Sequence, residues 1–397
     1  RKIQKYWNLN TNKENFSLTS ASAKMKELFL TSVNQHLRSD VPLALTLSGG
    51  IDSSSILSTI IHLGYKDNIE LFSYINKTKS QSEEVWIDYL VKHFDLKLNK
   101  IFIESLDFVK IARTVVKAQE EPFATTGIFA QHEVYKNINE KNIKVNLDGQ
   151  GADEIFAGYP TFLSARFISS IMSGDFSKLK WIFNENPKFF MRVIGMLLPP
   201  KISLYLQDLF KINNISNITD KLWFEDRDVL SFDKLKNNQK TTLHNKLIDS
   251  IFDLSLPSLL RYLDKNSMYH SVESRVPFLS KDILEFAMSL PESYLIDDQK
   301  ISKSVLRGAM KDIVPEKILN RKDKIGFAVP ESEWMICSPV WMKKMKNLTF
   351  DILPMINHEN LLSEFVKIEK NKKLTNNQLW RHINLSVWAD EFNIKFT

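Results

Sequence analysis

Two adjacent glycines flanked by hydroxyl and carboxyl groups form the sharpest chemical feature of this sequence, Leu47-Ser48-Gly49-Gly50-Ile51-Asp52-Ser53-Ser54. Paired glycines allow a tight turn that brings backbone N–H groups close to an anion. Ser53 and Ser54 then open a predicted helix, whose N-terminus and hydroxyl groups favour phosphate. The carboxylate of Asp52 would repel a phosphate unless a cation lies between them. The run therefore predicts a site for a polyphosphate with magnesium.

A second glycine-rich turn carries acidic residues, Leu147-Asp148-Gly149-Gln150-Gly151-Ala152-Asp153-Glu154. Both turns follow short apolar runs, which are typical of buried strands. The carboxyl ends of neighbouring parallel strands share one crevice, so we expect Asp153 to face Asp52 across it. Two carboxylates on either side of a polyphosphate make a magnesium clamp. The patterns GxxxxGK[ST] and GxGxxG, which mark two commoner phosphate sites, do not occur.

The elements that must position these turns alternate between strand and helix. Strand character is predicted for the apolar runs at Pro42–Leu47, Ile69–Ile75, Lys100–Ile103 and Ile143–Leu147. Apolar residues at helical spacing predict helices through residues 56–61, ending at Gly64, and through residues 85–94. This alternation predicts an α/β fold with a doubly wound, mostly parallel sheet. From about Tyr159 onward strand signals fade, and a largely α-helical C-terminal half is expected.

Composition limits the other classes of function. The formal net charge of the 397 residues is +6, and the basic residues are spread along the chain, so no nucleic-acid partner is predicted. Cys337 is the single cysteine, which excludes an internal disulfide and favours a reducing compartment. The apolar stretch Phe189–Pro200 is too short to span a bilayer and is interrupted by Arg192. A cytoplasmic protein without a membrane partner is expected.

The glycine run SGGIDSS resembles the pyrophosphate loop of the adenine nucleotide α-hydrolase superfamily, the PP-loop ATPases. Members of that superfamily cleave ATP between its α- and β-phosphates, so the resemblance implies AMP transfer and a PP-loop (HUP-like) core. The motif alone leaves several families open, including GMP synthetase, NAD synthetase, argininosuccinate synthetase and tRNA-modifying ligases.

Four further stretches resemble the synthetase domain of the glutamine-hydrolysing asparagine synthetases. Residues 148–159 (DGQGADEIFAGY) are similar to that family's SGEGADE(L/I)FGGY. Residues 271–279 and 284–291 are similar to SLEARVPFLD and EFALSLP, and residues 303–307 and 321–330 to K-x-x-LR and R-x-K-x-GF-x-VP. Leu379-Trp380-Arg381 and Trp388 are similar to the family's terminal helix. The resemblance covers the chain from about residue 6 to its end.

This resemblance implies ATP and Mg²⁺ as cofactors and assigns roles to individual residues. The implied ATP and pyrophosphate contacts are Leu47, Ser48, Gly49, Gly50, Asp52, Ser53, Ser54, Ser73 and Gly149. The implied acceptor-substrate contacts are Thr125, Thr126, Gln150 and Asp153. Asp52 and Asp153 are the implied magnesium ligands, and both count with Gln150 among the catalytic residues. Lys324 would stabilise charge at the α-phosphate, with Lys322 as the competing assignment.

The sequence departs from the family at Gln150, where the family has a glutamate. A carboxylate can accept a proton from ammonium or pair with a cationic acceptor, and an amide can do neither. The acceptor therefore stays open between aspartate and a carboxylate without a free α-amino group, such as a sugar uronic acid or an intramolecular acceptor. A nucleotide-binding regulator without turnover is the alternative from another class.

The family's glutaminase domain, whose first residue is a cysteine nucleophile, has no counterpart in the sequence given. Residues 1–20 are interpreted as a linker that follows such a domain, and residues 21–397 as the synthetase domain. Within it, residues 21–160 would form the nucleotide-binding core and residues 161–397 the mainly helical part. Ammonia would come from a glutaminase domain outside this chain. A homodimer stays open, because no motif addresses the oligomeric state.

Overall fold

The structure is a computed structural model. It describes residues 6–10, 12, 15–77, 82–183, 189, 192–193, 196, 242–322, 329–371 and 378–396.

A parallel five-stranded sheet forms the centre of the fold. Its strands are β1 (Leu43–Thr46), β2 (Ile69–Tyr74), β3 (Leu98–Ile101), β4 (Val145–Leu147) and β5 (Glu273–Arg275). Their order is β3-β2-β1-β4-β5, and every neighbouring pair is parallel. The four strands predicted from apolar runs are confirmed within a few residues at each end. The fifth strand was not predicted.

Helices account for most of the remaining described residues. The N-terminal half contains α1 (Leu18–His36), α2 (Ile51–His62), α3 (Glu84–Phe94), α4 (Ser105–Gln119), α5 (Gly127–Glu140), α6 (Ala152–Ile155), α7 (Pro160–Met172) and α8 (Lys180–Phe183). The C-terminal half contains α9 (Leu243–Phe252), α10 (Ser255–Tyr269), α11 (Lys281–Ser289), α12 (Glu292–Leu295), α13 (Ser304–Ala309), α14 (Glu316–Leu319), α15 (Glu331–Ile336), α16 (Pro339–Ile352), α17 (His358–Asn371) and α18 (Gln378–Glu391). The predicted helices at 56–61 and 85–94 are confirmed as α2 and α3, and Gly64 follows α2 with φ +85°.

Helices cover both faces of the sheet, as the doubly wound prediction requires. Alternate side chains of a strand point to opposite faces. Leu43 and Leu45 of β1 therefore join a core with α1 and α2, whereas Ala44 joins a second core with α4, α5 and α18. The mostly helical C-terminal half is also confirmed: beyond Tyr159, the described residues contain β5 as their strand and one isolated bridge, Ile296 with Ser302.

The proposed domain boundary after residue 20 falls inside α1, which begins at Leu18. Residues before α1 also contact the C-terminal half. The indole N–H of Trp7 donates to Glu285 Oε1 at 2.9 Å, and the ring of Phe16 lies edge-on to Phe286 at 5.4 Å. The segment assigned as a linker is therefore packed on the fold where the structure describes it.

Strands β1 and β4 are direct neighbours, with Leu43 opposite Val145 and Leu45 opposite Leu147. Because they are parallel, the turns that follow them lie side by side at the carboxyl edge of the sheet. Those are the glycine run and the acidic turn. None of the helices in the described ranges combines the length and apolar character needed to cross a membrane.

Candidate active site

The turn after β1 is built so that only glycine fits at position 49. Gly49 has φ +70°, and a Cβ there would lie 2.8 Å from the Cβ of Trp86. The turn is closed by its own hydroxyl groups: the Ser48 N–H donates to Ser53 Oγ at 3.1 Å, and the Gly50 N–H donates to Ser48 Oγ at 3.4 Å. Helix α2 starts directly afterwards, so its positive end faces the same place as the turn.

Four of the predicted ATP contacts lie behind this turn. Leu47, Ser53, Ser54 and Ser73 are all buried, with exposed fractions of 0 to 4%. The Ser73 hydroxyl donates to the Leu47 carbonyl at 2.6 Å, which ties the turn to the end of β2. The Ser54 hydroxyl is buried without a hydrogen-bond partner among the described residues. These positions support the turn from within, and direct contact with ATP stays a prediction for them.

The acidic turn after β4 touches the glycine turn. A Cβ on Gly149 would lie 3.3 Å from Asp52 Cβ and 3.3 Å from Ser53 N, which is tighter than ordinary packing. Gly151 has φ +90°, and a Cβ there would collide with Leu279 at 2.4 Å. Glycine at both positions lets the two turns meet and places Asp153, in the first turn of α6, next to Asp52.

Asp52 and Asp153 meet at one cationic atom, the Nζ of Lys303. Nζ lies 2.5 Å and 2.7 Å from the two carboxylate oxygens of Asp52, and 2.7 Å from Asp153 Oδ1. The Lys303 side chain is 4% exposed, and those of Asp52 and Asp153 are 17% and 14% exposed. Burial lowers the pKa of Lys303, and the carboxylate of Asp52 opposes that shift. The structure thus brings together the two predicted magnesium ligands.

The two carboxylates fit a magnesium ion bound with a polyphosphate. Mg²⁺ is usually held by one or two protein carboxylates, with substrate phosphates and waters completing six positions. The ammonium of Lys303 shows that one cation can contact both Asp52 and Asp153 at once. Across the described part of the chain, no group of three or more acidic, histidine or cysteine side chains could hold a metal alone. The remaining ligands would have to come from the nucleotide and water.

A cavity of about 350 Å³ opens beside this cluster, and among the described residues more cationic than anionic groups line it. From the turn after β1 it is lined by Ser48, Gly50 and Asp52. Its lining cations are Lys300, Lys303, Arg307, Arg321 and Lys322, and its lining carboxylates are Asp52 and Glu83. An excess of fixed cations beside the glycine turn is the environment that a polyphosphate needs.

Lys303, Arg307 and Arg321 lie in two of the family-like stretches, residues 303–307 and 321–330, but the sequence alone predicts no role for them. Arg321 is buried; one of its guanidinium nitrogens donates to the Gly49 carbonyl at 2.9 Å and another to Glu83 Oε1 at 2.8 Å. Its guanidinium also lies 4.9 Å from the centroid of the Trp86 ring. Arg321 therefore anchors the glycine turn. Lys324 lies outside the described residues, and its competitor Lys322 lines the cavity.

The predicted acceptor contacts are not among the residues that line this cavity. Gln150 is half-buried, and its backbone N–H donates to Asp148 Oδ1 at 3.1 Å. Burial raises the pKa of Asp148 to about 6. Thr125 Oγ1 accepts from the Gly127 N–H at 3.2 Å, and Thr126 Oγ1 donates to Glu331 Oε2 at 3.1 Å. Contact of these side chains with an acceptor stays a prediction.

Glu331, the hydrogen-bond partner of Thr126, makes the stability of the protein depend on pH. Burial raises its pKa from 4.5 to about 7, against the opposing effects of Thr126 and Arg381. The folded protein therefore keeps a proton that the unfolded chain releases between these values. The contribution of Glu331 to stability is complete below pH 4.5 and is lost as the pH rises through 7. We expect Glu331→Gln to remove a fall of about 1–3 kcal/mol in the free energy of unfolding between these limits.

Urea unfolding at a series of pH values measures this effect. Glu369→Gln, at an exposed position of α17, is the matched control and should keep the pH dependence of the unaltered protein. If Glu331→Gln and Glu369→Gln give parallel curves, the Glu331 carboxyl is ionised in the folded state and the assignment is wrong.

Comparisons with known proteins extend over most of the chain. The asparagine synthase family model matches residues 24–390. Glutamine-hydrolysing asparagine synthetase 1 of Bacillus subtilis (strain 168) is 28% identical over 335 residues, which are 79% of this chain and 50% of that protein. Glutamine-hydrolysing asparagine synthetase 3 of the same organism is 24% identical over 385 residues, which are 92% of this chain and 58% of that protein. The chain thus spans about half the length of these curated relatives.

Among solved structures, NMN synthetase from Francisella tularensis is similar over 96% of this chain and 98% of its own. Its sequence identity is 11% and its TM-score 0.31, a similarity too low to bear on function. The family model, in contrast, covers the glycine turn, the acidic turn, Lys303 and Arg381. The chain belongs to the asparagine synthase family.

Proposed function

We propose that this chain is the synthetase part of an ATP-dependent amide-forming ligase. It would activate a carboxylate as an acyl-adenylate, release pyrophosphate, and pass the acyl group to ammonia. One observation carries this proposal: Asp52 and Asp153 converge on one cation position beside a cavity lined by an excess of lysine and arginine. That arrangement suits a metal-bound triphosphate, and the family to which the chain belongs contains ATP-using ligases.

The first step would take place at the α-phosphorus. A carboxylate oxygen of the acceptor forms a bond to that phosphorus, the bond to the β-phosphate oxygen breaks, and pyrophosphate leaves with its electrons. Mg²⁺ held by Asp52 and Asp153 would neutralise charge on the polyphosphate. The leaving pyrophosphate would rest in the cavity, which Ser48, Gly50 and Arg307 line. We assign stabilisation of the α-phosphate to Lys324, with Lys322 as the alternative.

The second step would be attack of ammonia on the acyl carbon. A carbon–nitrogen bond forms, the bond to the phosphate oxygen breaks, AMP leaves, and the nitrogen releases a proton to a base. Relatives named as glutamine-hydrolysing support glutamine as the usual ammonia source. Cys337 does not suit glutamine hydrolysis here, because it is half-buried and its thiol donates to the Ser105 carbonyl at 3.2 Å. A glutaminase domain or free ammonia would supply the nitrogen.

Gln150 supports a second candidate for the acceptor. An amide at this position cannot pair with the α-ammonium group of aspartate as a carboxylate does. The only charge within the DGQG turn is on Asp148, which is buried and accepts hydrogen bonds from the backbone of the turn itself. An acceptor without a free α-amino group, such as a uronic acid or an intramolecular carboxylate, is therefore the alternative to aspartate.

Exchange of labelled pyrophosphate into ATP tests the proposal, because it requires formation of the adenylate but not ammonia. The protein with Mg²⁺ would be offered L-aspartate, a uronic acid and a panel of simple carboxylates. Exchange that depends on aspartate supports aspartate as the acceptor, and exchange that depends on another acid supports the second candidate. ATP binding without exchange for any acid would contradict the ligase proposal and favour a nucleotide-binding regulator.

A further inference from the structure

Lys303 is a buried lysine whose ammonium lies at the position predicted for magnesium, between Asp52 and Asp153. It is 3% exposed, stands at the start of α13 with φ +60°, and its N–H donates to the Phe156 carbonyl at 3.1 Å. The backbone at Lys303 is therefore held in place. Its side chain runs past Gly158, where a built Cβ would lie 2.5 Å from the Cε of Lys303. The ammonium ends between the carboxylates of Asp52 and Asp153.

The ammonium and a metal ion cannot share this position. Three carboxylate oxygens lie 2.5–2.7 Å from the Nζ of Lys303, so they surround one point. A magnesium ion held by both carboxylates, at about 2.0–2.1 Å from an oxygen of each, must lie close to the same point. Two cations at that separation repel each other strongly, and no space remains for both. Binding of the metal therefore requires the ammonium to leave.

The neighbouring cavity offers the displaced ammonium a chemically suitable destination. The Lys303 side chain lines the cavity that also contains Ser48, Gly50 and Arg307. A lysine ammonium is a compact charge on a flexible four-carbon stem, so it can swing while its backbone stays fixed. A polyphosphate in that cavity brings several anionic oxygens within reach of the same stem.

We infer that Lys303 is an exchanging counter-ion. In the free protein its ammonium holds Asp52 and Asp153 together, and in the loaded complex a divalent cation replaces it there while the ammonium binds the pyrophosphate part of the nucleotide. The inference depends on the proposed function only for the identity of the ligand as a metal-bound polyphosphate.

If the two cations exchange, removal of the ammonium should raise the affinity for a metal ion alone and lower the affinity for the magnesium–nucleotide complex. In Lys303→Met, two neighbouring carboxylates lose their cation, so the free protein should bind Mn²⁺ alone at least about tenfold more tightly. The same variant lacks a phosphate ligand, so it should bind the magnesium complex of α,β-methylene-ATP at least about tenfold more weakly. A purely structural lysine would weaken both, because its loss would disorder the site.

Electron paramagnetic resonance of Mn²⁺ measures the first affinity, and titration calorimetry with the non-cleavable nucleotide measures the second. Lys300→Met is the matched control. Lys300 lines the same cavity, but its Nζ lies over the ring of Trp181, 5.8 Å from the ring centroid, whereas the Nζ of Lys303 lies between the two carboxylates. The Lys300→Met variant should not gain affinity for Mn²⁺. Weaker or unchanged Mn²⁺ binding by Lys303→Met would overturn the inference.

A measurement on the unaltered protein keeps the inference testable if Lys303→Met does not fold. With ¹⁵N-labelled lysine, the Nζ resonance of Lys303 is identified by its absence in Lys303→Arg. It should shift when magnesium and α,β-methylene-ATP are added, and an unchanged resonance on saturation would contradict the exchange. Neither readout requires an acceptor acid, so loss of the ligase proposal and loss of this inference would be seen separately.

Discussion

Asp52→Ala is expected to lower carboxylate-dependent ATP–pyrophosphate exchange by a factor on the order of 10³ or more. The loss of one preorganised group that stabilises charge developing in a transition state costs about 10²–10³ in rate, and here the stabilising charge is the metal ion that Asp52 would hold. Asp52 adds to this because its two oxygens form most of the cation position, at 2.5 Å and 2.7 Å from the Nζ of Lys303. Without it, Asp153 alone would hold the metal. The exchange assay at saturating Mg²⁺ measures the effect.

Asp312→Ala provides the control for loss of a carboxylate. Asp312 is 82% exposed, and its carboxylate lies 3.9 Å from the ammonium of Lys26. Exchange by this variant should match that of the unaltered protein. Thermal unfolding of both variants separates loss of the site from loss of the fold. Exchange by Asp52→Ala within a few-fold of the unaltered rate would remove Asp52 from the mechanism.

Gly158→Ala is expected to reduce exchange by about 10²-fold, through displacement rather than through loss of a functional group. A Cβ at this position would lie 1.9 Å from Asp153 Oδ1 and 2.5 Å from the Cε of Lys303. The backbone cannot easily retreat, because the Gly158 N–H donates to the Asp153 carbonyl at 2.8 Å. Both side chains must therefore shift, and a displacement of about 1 Å in a reacting site costs about 10²-fold. Overpacking should also cost about 1–3 kcal/mol of stability.

Gly174→Ala separates destabilisation from displacement. Gly174 has φ +84°, and apart from its chain neighbours the described residues have no atom within 4 Å of a Cβ built there. Alanine at this position is therefore strained by about 1–2 kcal/mol but displaces none of those residues. We expect lower thermal stability with unchanged exchange. A Gly158→Ala protein with normal exchange would mean that Asp153 and Lys303 are not required in their observed positions. Steady-state exchange and thermal unfolding, measured together, distinguish these results.

The parts of the fold that the sequence predicts are those encoded by local pattern. Strands β1 to β4 are marked by apolar runs, and the neighbouring positions of β1 and β4 follow from the chemistry of the turns after them. Strand β5 could not be found in the same way. Its residues Glu273, Ser274 and Arg275 are polar and partly exposed, so no apolar run exists there, and pairing with β4 alone defines it.

In the candidate site, too, the residues in local motifs could be predicted from the sequence, and those whose burial depends on distant contacts could not. Asp52 and Asp153 are predictable because each lies in a glycine-rich turn after a strand. Lys303 lies on neither turn, and a lysine before a short helix is usually a solvated residue. Its burial depends on contacts with residues 52, 153 and 156, which are distant in sequence. Arg321 is similar, because its guanidinium reaches Gly49 across 272 positions of the chain.

The late position of β5 in the chain also affects how the protein is made. Strand β4 is complete at Leu147, but its partner on the outer side begins only at Glu273. During synthesis, β4 therefore exposes unpaired backbone groups on that side, and such an edge can pair with other chains. Contacts across so many residues also slow folding, because a long loop must close before they form. Residues from 273 onward are thus needed both to shield that edge, through β5, and to supply Lys303, which joins the two carboxylates.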